Sequence, residues 1–576
     1  MNRNIIAPKI WIGVLALFLG CFLYQSPRAA ANSAVENGTE MEKEVEQQFE
    51  VRGTVTDASN GEPLPGVNII IKGTTTGTTT DMDGNYIISV EDENATLVYT
   101  FVGYESQEIA LNGRNNVDVS LKPQIEEMEE VVVVGYGTME KREVTSSITT
   151  VDDSELIPGV SGNPLVAMQD KVTGLSIQSS NGSSPNAGTS VQLRGVASVL
   201  AGQGPLIVID GVPGASLSSV SREDIKSIDI LKDASAGAIY GTRAAGGVIQ
   251  ITTKQAKEGE LRLTYTSELT TESIRKKPEV LSAEKFLEND LGEDHGHTTD
   301  WYDEVTVDNP FRQRHHVNLS GGNETAKVYA TFTASDQGGI AIGDTREEIG
   351  GRINGNFSLL DGFAEIIAHA DYRKSSSTWS DNGIFNMALK LNPTLSPYSD
   401  EEAHGLNVWT GGWEYYNPVA HIELRDNTGD NYDFLGDVTL KLNLTNSLTT
   451  QAMVATRNHK YRNIYYESAQ HKASLDNDRD GYGSQSYGQS NDKTFEWQLS
   501  YLNEFGDHLV DAVGGYSFQE FNGDGFNMNN SDFPVDGIRA WNMSGGTYLS
   551  DGKAYMDSWK SPQEQLIAFF ARGKYT

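Results

Sequence analysis

Val328-Tyr329-Ala330-Thr331-Phe332-Thr333 sets one side chain of each pair, Val328, Ala330 and Phe332, against the other, Tyr329, Thr331 and Thr333. A period of two is the mark of a strand with two unlike faces, because successive side chains point to opposite sides of a sheet. Leu261-Arg262-Leu263-Thr264-Tyr265-Thr266 and Val438-Thr439-Leu440-Lys441-Leu442-Asn443 repeat the pattern. From about residue 260 to 576 the chain therefore reads as long amphipathic strands. Polar, aromatic-bearing stretches such as Ser376–Gly383 and Asp476–Asp492 are read as long loops between them. Long loops at one end and tight turns at the other characterise an outer-membrane barrel. A soluble β-helix or sandwich array shares the alternation.

Composition fits this reading. The 576 residues are too many for one ordinary core, so several domains are expected. Hydrophobic residues at 38% exclude a wholly disordered chain. A mean hydropathy of −0.41 excludes a helical-bundle membrane protein but not a barrel, whose strands are only half apolar. Lys+Arg 44 against Asp+Glu 79 gives a net charge of −35, a field that repels nucleic acid. Gly 58 and Tyr 24 beside a single Cys describe a large β protein without a disulfide framework.

Arg3 and Lys9 precede the apolar run Ile10–Tyr24, and Ala29-Ala30-Ala31 follows. This is read as a secretory signal peptide over residues 1–31, cleaved after Ala31 and taking Cys21 with it. Residues 32–48 form an acidic leader. Residues 49–122 alternate short strands with turns such as Asn60-Gly61 and Asp83-Gly84, and predict a small sandwich of immunoglobulin type. Gly73–Thr80 suits an edge strand. Asp81-Met82-Asp83-Gly84 is read as a turn rather than a calcium site.

In residues 123–139, Glu126, Glu127, Glu129 and Glu130 lead into Val131-Val132-Val133-Val134-Gly135-Tyr136-Gly137. Four valines favour an extended backbone. Two readings fit: a tethered segment that adds as a strand to a partner's sheet edge, or an ordinary buried strand. Residues 140–255 predict a compact α/β unit. Asn163-Pro164 starts a helix, Ser221 and Asp224 start another carrying Ile225, Ile228 and Leu231, and Asp233 caps a third that Gly241 ends. Strands are expected at Ser190–Arg194, Leu206–Asp210 and Gly247–Thr253.

Several blocks together resemble one family. Gly53–Asp57 with Gly61–Val67 resembles a carboxypeptidase-regulatory-like sandwich. Glu129–Thr138 is similar to the TonB-box region of SusC/RagA-type transporters. Gly204–Pro213 and Leu231–Ile249 resemble that family's plug, and Thr299-Asp300-Trp301 and Asn318–Asn323 its early barrel. The resemblance implies a mostly β chain: sandwich 49–122, TonB-box linker 123–139, plug 140–255, and a barrel portion over 260–576. It implies TonB-dependent import across the outer membrane of a Gram-negative bacterium, with sandwich and TonB box periplasmic. The implied partners are TonB with its inner-membrane energising complex, a SusD-like surface lipoprotein, and outer-membrane lipid. The implied cargo is an oligosaccharide or peptide. Family barrels hold about 22 strands, the class with a filled lumen, whereas 260–576 offers about ten, so the barrel is expected to be incomplete.

The TonB-contacting residues are expected to be Glu130, Val131, Val132, Val133, Val134 and Gly135. Trp379, Trp409, Trp413, Tyr415 and Tyr416 could stack on sugar rings or form the interfacial girdle of the barrel. Asp476, Asp478, Asp480 and Gly481 match half of a calcium loop, but its twelfth position is Tyr487, so the match is weak. An enzyme is not expected, nor a cofactor. Residues 49–122 contain no His for a zinc site, and no Gly-x-Ser-x-Gly or phosphate-loop signature occurs. His295 and His297 sit in a polar loop, and His315-His316 lies on a strand whose neighbours face opposite sides. The rival reading is a surface receptor, sensor or adhesin without transport.

Overall fold

The computed structural model describes residues 49–576, except 59, 75, 102–103, 105, 123–130, 134–137, 141–147, 157–162, 181–182, 196–203, 233–237, 382, 403, 409–415 and 507. The chain divides into two compact units, 1–128 and 129–576. The first unit is a two-sheet sandwich. Strands β1 (Phe49–Asp57), β4 (Asn85–Val90) and β7 (Val119–Leu121) form one sheet. Strands β2 (Asn68–Ile71), β3 (Gly77–Thr79), β5 (Thr96–Thr100) and β6 (Gln107–Ala110) form the other, with the threonine-rich β3 at its edge. Alternate residues of both sheets close the core, among them Val51, Val55, Ile69, Val90, Leu97 and Leu121. Two buried tyrosines satisfy each other there: the Tyr86 and Tyr99 hydroxyls are 2.6 Å apart, and Tyr86 reaches the Val117 carbonyl at 2.8 Å. Asp81 closes its turn by accepting the Asp83 and Asn85 amides at 3.0 and 2.8 Å.

The second unit opens with the paired strands β8 (Val131–Val133) and β9 (Thr138–Glu140), in which Val132 lies opposite Met139. A small α/β body follows. Its sheet runs β10-β15-β16-β13-β14, built from Ile148–Asp152, Ile225–Leu231, Val248–Thr253, Leu206–Ile209 and Val212–Pro213. A separate pair joins β11 (Leu175–Ser179) to β12 (Thr189–Leu193). The Asn163 carboxamide caps the short helix Pro164–Ala167 through the Leu165 amide at 3.0 Å. The helix expected after Ser221 is instead one 3₁₀ turn, Arg222–Asp224, running into β15. Ile225, Ile228 and Leu231 have helical spacing, yet Ile230 is buried as well. A central strand covered on both faces loses its period of two. The third expected helix is a 3₁₀ stretch, Ala238–Gly246, broken at Gly241 with φ 64°. Asp233 lies outside the described residues.

The remainder is one antiparallel sheet in chain order: β17 (Gly259–Thr271), β18 (Phe311–Gly322), β19 (Ala326–Gly338), β20 (Thr345–Leu359), β21 (Ala364–Thr378), β22 (Arg425–Asn443), β23 (Leu448–Glu467), β24 (Tyr482–Phe505) and β25 (His508–Ser531). The last rank is split into β26 (Tyr555–Lys560) and β27 (Glu564–Tyr575), which pair in succession with β25. Pro562 lies in the gap; it has no N–H to give the ladder. That makes ten ranks, and the barrel is not closed: β17 stands at one edge and β26/β27 at the other. Tight turns join β18–β19, β20–β21, β22–β23 and β24–β25 at one end, and longer segments return at the other.

The faces of this sheet are inverted relative to a water-soluble protein. The buried face carries Arg312, Arg314, Arg352, Asp371, Arg373 and Asp437. The exposed face carries Ile353, Phe357, Val438, Leu440, Phe495, Trp497 and Leu499. Apolar residues outward and polar residues inward is the barrel arrangement, and the α/β body packs on the polar side. On β23–β25 the outward apolar belt is concentrated in the tight-turn half, whereas on β19–β21 Phe332, Ile349 and Tyr372 carry it further. Beyond the row Thr456–Lys493–Glu520 the outward residues are mostly polar, among them Lys460, Arg462, Asn491, Asn522 and Asp524, with the stacked pair Tyr487–Phe526 the aromatic exception. This belt explains a misreading. Much of Asp476–Asp492 and the start of Ser376–Gly383 are strand, not loop, because β24 begins at Tyr482 and β21 runs to Thr378. With polar groups on both faces there, alternation disappears from the sequence. In lipid vesicles, Ile353→Lys should lower unfolding free energy by about 2–4 kcal/mol. Glu347→Lys, outward but beyond the belt, should change it by less than about 0.5 kcal/mol in the same denaturant titration.

Candidate functional site at the plug–sheet interface

Ser221-Arg222-Glu223-Asp224 is the point where the α/β body meets the most strands. The 3₁₀ turn aims each side chain in a different direction, into the charged face of the sheet. Arg314 on β18 grips Glu223 bidentately, Nε and Nη2 donating at 2.8 and 2.9 Å, and its Nη2 also donates to Ser221 Oγ at 2.8 Å. Arg222 donates to Glu268 on β17 at 2.5 Å. Asp224 accepts from the Tyr329 and Thr331 hydroxyls of β19, each at 3.2 Å. Arg373 on β21 donates to Glu348 on β20 at 2.6 Å. Burial alone would raise the Glu223 carboxyl; the Arg314 guanidinium, helped by Arg222, outweighs it and brings it down to about 2.

A second anchor forms where the strand Leu206–Ile209 ends. Asp210, with φ 48°, accepts the Thr253 amide and hydroxyl at 2.9 Å each and pairs with Arg352 of β20, whose side chain is 1% exposed. Burial pushes the Asp210 carboxyl up, but Arg352 and the Thr253 bonds leave it below its ordinary value. Asn354 ties the same strand to the body through the Lys254 carbonyl at 2.7 Å. Arg312 holds the Ser183 carbonyl at 2.7 Å and Asn186 holds Asp344 at 2.9 Å near the long-segment end. Arg457 reaches the Gly214 carbonyl, and Arg243 reaches Gln519. Beside these anchors lies a cavity of about 520 Å³, lined by polar groups such as Asp210, His369 and Lys441 and by the apolar Ile367, Met453 and Phe570.

Of the TonB-contacting residues read from sequence, Val131, Val132 and Val133 form β8; Glu130, Val134 and Gly135 lie outside the described residues. Trp409, Trp413 and Tyr415 also lie outside them. Trp379 directly follows β21, with its ring over Gly429. Tyr416 is not an open stacking surface. It is buried, accepts the Lys472 amide at 2.9 Å, and meets His421 and His471 edge-on. Those histidines join two of the long segments: His471 Nδ1 accepts the Ala473 amide at 3.2 Å, its Nε2 is 3.0 Å from His421 Nδ1, and His421 Nε2 is 3.0 Å from Asp381. Asp476 is held by Lys472 at 2.8 Å, and the Asp480 amide donates to Asp532 at 2.9 Å. Among the described residues no group of three or more His, Cys, Asp or Glu is placed to hold a metal. His316 turns inward beside Asp224, while His315 turns outward onto Tyr265.

Residues 51–133 match the CarboxypepD_reg-like domain, and residues 140–248 match the TonB-dependent receptor plug domain. The chain thus carries these two domains, and TonB-dependent receptors are among its homologues. It is 31% identical over 534 residues to the TonB-dependent receptor SusC of Bacteroides thetaiotaomicron, covering 83% of this chain and 51% of that protein. It is 28% identical to TonB-dependent receptor P3 of Formosa agariphila, covering 92% of this chain and 53% of that one. The chain thus spans about half the length of the curated relatives it matches. In fold it is similar to the RagAB peptide importer in its open-open state, with TM-score 0.66 at 20% identity, over 78% of this chain and 55% of that one. These relatives are receptors and transporters, not enzymes. No helix among the described residues is long and apolar enough to cross a membrane.

The Glu223 ion pair is present above the ordinary carboxyl range and is lost as pH falls from 4.5 toward about 2. Glu223→Gln should loosen the plug by about 3 kcal/mol at neutral pH, read as faster hydrogen exchange over 206–231. Burial, followed by the neighbouring His421, Arg425 and Arg479, holds His471 down at about 3. An opened segment takes up that proton near 6.5 and a closed one does not, so closure weakens as pH falls across that window. Exchange over 468–481, corrected for intrinsic rate, should quicken between pH 7.5 and 5.

Proposed function

We propose that the protein takes part in TonB-dependent import of an oligosaccharide or peptide across the outer membrane. The observation that carries this reading is the plug–sheet interface: a folded body held in an inverted sheet by a set of buried ion pairs, beside a smaller apolar contact in which Leu435, Met453 and Ala455 join the plug core. The ion pairs hold the plug in register but can exchange for water when it moves, and the adjoining cavity leaves room for displacement. Ligand binds at the long-segment face. TonB, driven by its inner-membrane complex, pairs with Val131–Val133 from the periplasm and pulls. Backbone pairing resists force with little side-chain demand. The sandwich (49–122) and linker (123–139) lie in the periplasm, the plug is 140–255, and the sheet from 260 is the barrel portion. A SusD-like lipoprotein is the surface partner. No catalytic role is assigned.

Val132→Pro with Val133→Pro removes two ladder donors and should abolish uptake while leaving ligand binding at the cell surface intact. Unchanged uptake in whole cells would sink the TonB-box assignment.

A further inference from the structure

The inward face of the sheet changes chemistry along its strands. Against the plug it is rich in Arg, Asp and Glu. Toward the long segments, every inward position of 375–379, 427–431, 461–463, 484–490 and 523–529 is Ser, Asn, Gly, Tyr or Trp. Nothing ionisable below the tyrosine range occurs among them. On β26 the inward Asp557 accepts from Tyr555 at 3.1 Å.

Within this neutral region one row crosses four strands: Tyr461, Gly488, Gly525 and Trp559 lie directly opposite one another in turn. Both glycines are buried, although they sit on the open inner face. Their neighbours' rings cover them. A Cβ on Gly488 would fall 2.5 Å from Tyr461 Cε1, and one on Gly525 would fall 2.8 Å from Trp559 Cζ2. Tyr461 therefore leans over β24 from one side and Trp559 over β25 from the other. Adjacent strands are about 4.8 Å apart, so the two rings make a floor two strands wide. Trp559 remains 38% exposed. Trp379 repeats the device over Gly429, where a Cβ would meet its ring at 2.5 Å.

From this geometry we infer that Tyr461 and Trp559 are a stacking platform for a neutral oligosaccharide, an assignment that rests on the import reading above. A pyranose offers an apolar C–H face and a rim of hydroxyls. The glycine-backed rings match the face. The surrounding carboxamides and hydroxyls, such as Asn431, Asn463, Ser486 and Asn527, match the rim with both donors and acceptors. The ionisable groups one pleat from the row are already hydrogen-bonded, Asp557 to Tyr555 at 3.1 Å and His459 to Asp433 at 2.8 Å, so the row itself offers ring faces and neutral polar groups rather than a charged pocket for a peptide or an acidic glycan.

The test uses the full-length protein in detergent against an array of neutral oligosaccharides, acidic oligosaccharides and peptides of similar size. Neutral oligosaccharides should bind. For the tightest of them, Tyr461→Ala and Trp559→Ala should each weaken binding about tenfold. Tyr461→Phe and Trp559→Phe should keep it. Tyr461→Leu and Trp559→Leu still cover the glycines but offer no π face, and should lose binding even if the alanine variants fail to fold. Binding confined to peptides or acidic glycans, or unchanged affinity in folded Leu variants, overturns the assignment. That result would leave import with another cargo. Binding of the oligosaccharide with no uptake by whole cells would instead remove the import reading and leave the platform standing.

Discussion

Charge buried on the inner face of a strand must be neutralised where it stands. The sheet brings Arg314, Arg352 and Arg373 to its hidden side, and water cannot solvate them there as it would on a surface. Glu348 answers one of them from within the sheet. Asp210 and Glu223 answer the others from the plug. The plug is therefore part of the sheet's electrostatic balance, and the sheet is part of the plug's. This mutual need fixes the plug's register; water can substitute for the ion pairs when the plug moves, which leaves the smaller apolar contact at Leu435, Met453 and Ala455 as the part with no such substitute.

The same constraint shapes the plug's sequence. Its strand Ile225–Leu231 buries Ile225, Ile228, Ile230 and Leu231 to hold the body together, with Asp229 satisfied by Thr150 at 2.6 Å, while the ends of the plug strands must be polar to meet the sheet. Ser221–Asp224 and Asp210 are those ends. A 3₁₀ turn and a residue at positive φ are compact ways to stop a strand and throw side chains sideways.

How much of this could be read beforehand depended on the range of the signal. Alternation at 261–266, 328–333 and 438–443 revealed the sheet, because lipid-facing and plug-facing residues differ along a single strand. The fold class, down to ten strand ranks, followed. The strand Ile225–Leu231 was hidden, since burial on both faces copies a helical spacing. The polar start of β24 was hidden because both its faces meet polar surroundings. The interface itself has no local signature. Glu223 and Arg314 are 91 residues apart, and nothing near either announces the other. Tyr416 looked like one of a row of loop aromatics; only the fold shows its edge contacts to two histidines. The glycines at 488 and 525 read as breaks in a strand until the rings lying over them are seen.

Strand length carries one more consequence. A tilted strand crosses the hydrocarbon core in about 9–11 residues, yet β24 and β25 are 24 residues each. With the apolar belt of β24 and β25 concentrated in the tight-turn half, much of the rest of each strand reaches past an apolar layer of that height as a rigid parapet. Chemistry placed there, the row from Tyr461 to Trp559 included, rests on a continuous hydrogen-bonded ladder anchored in the membrane. It is carried on masonry rather than on loops, and so it is held in a fixed shape by the strands themselves.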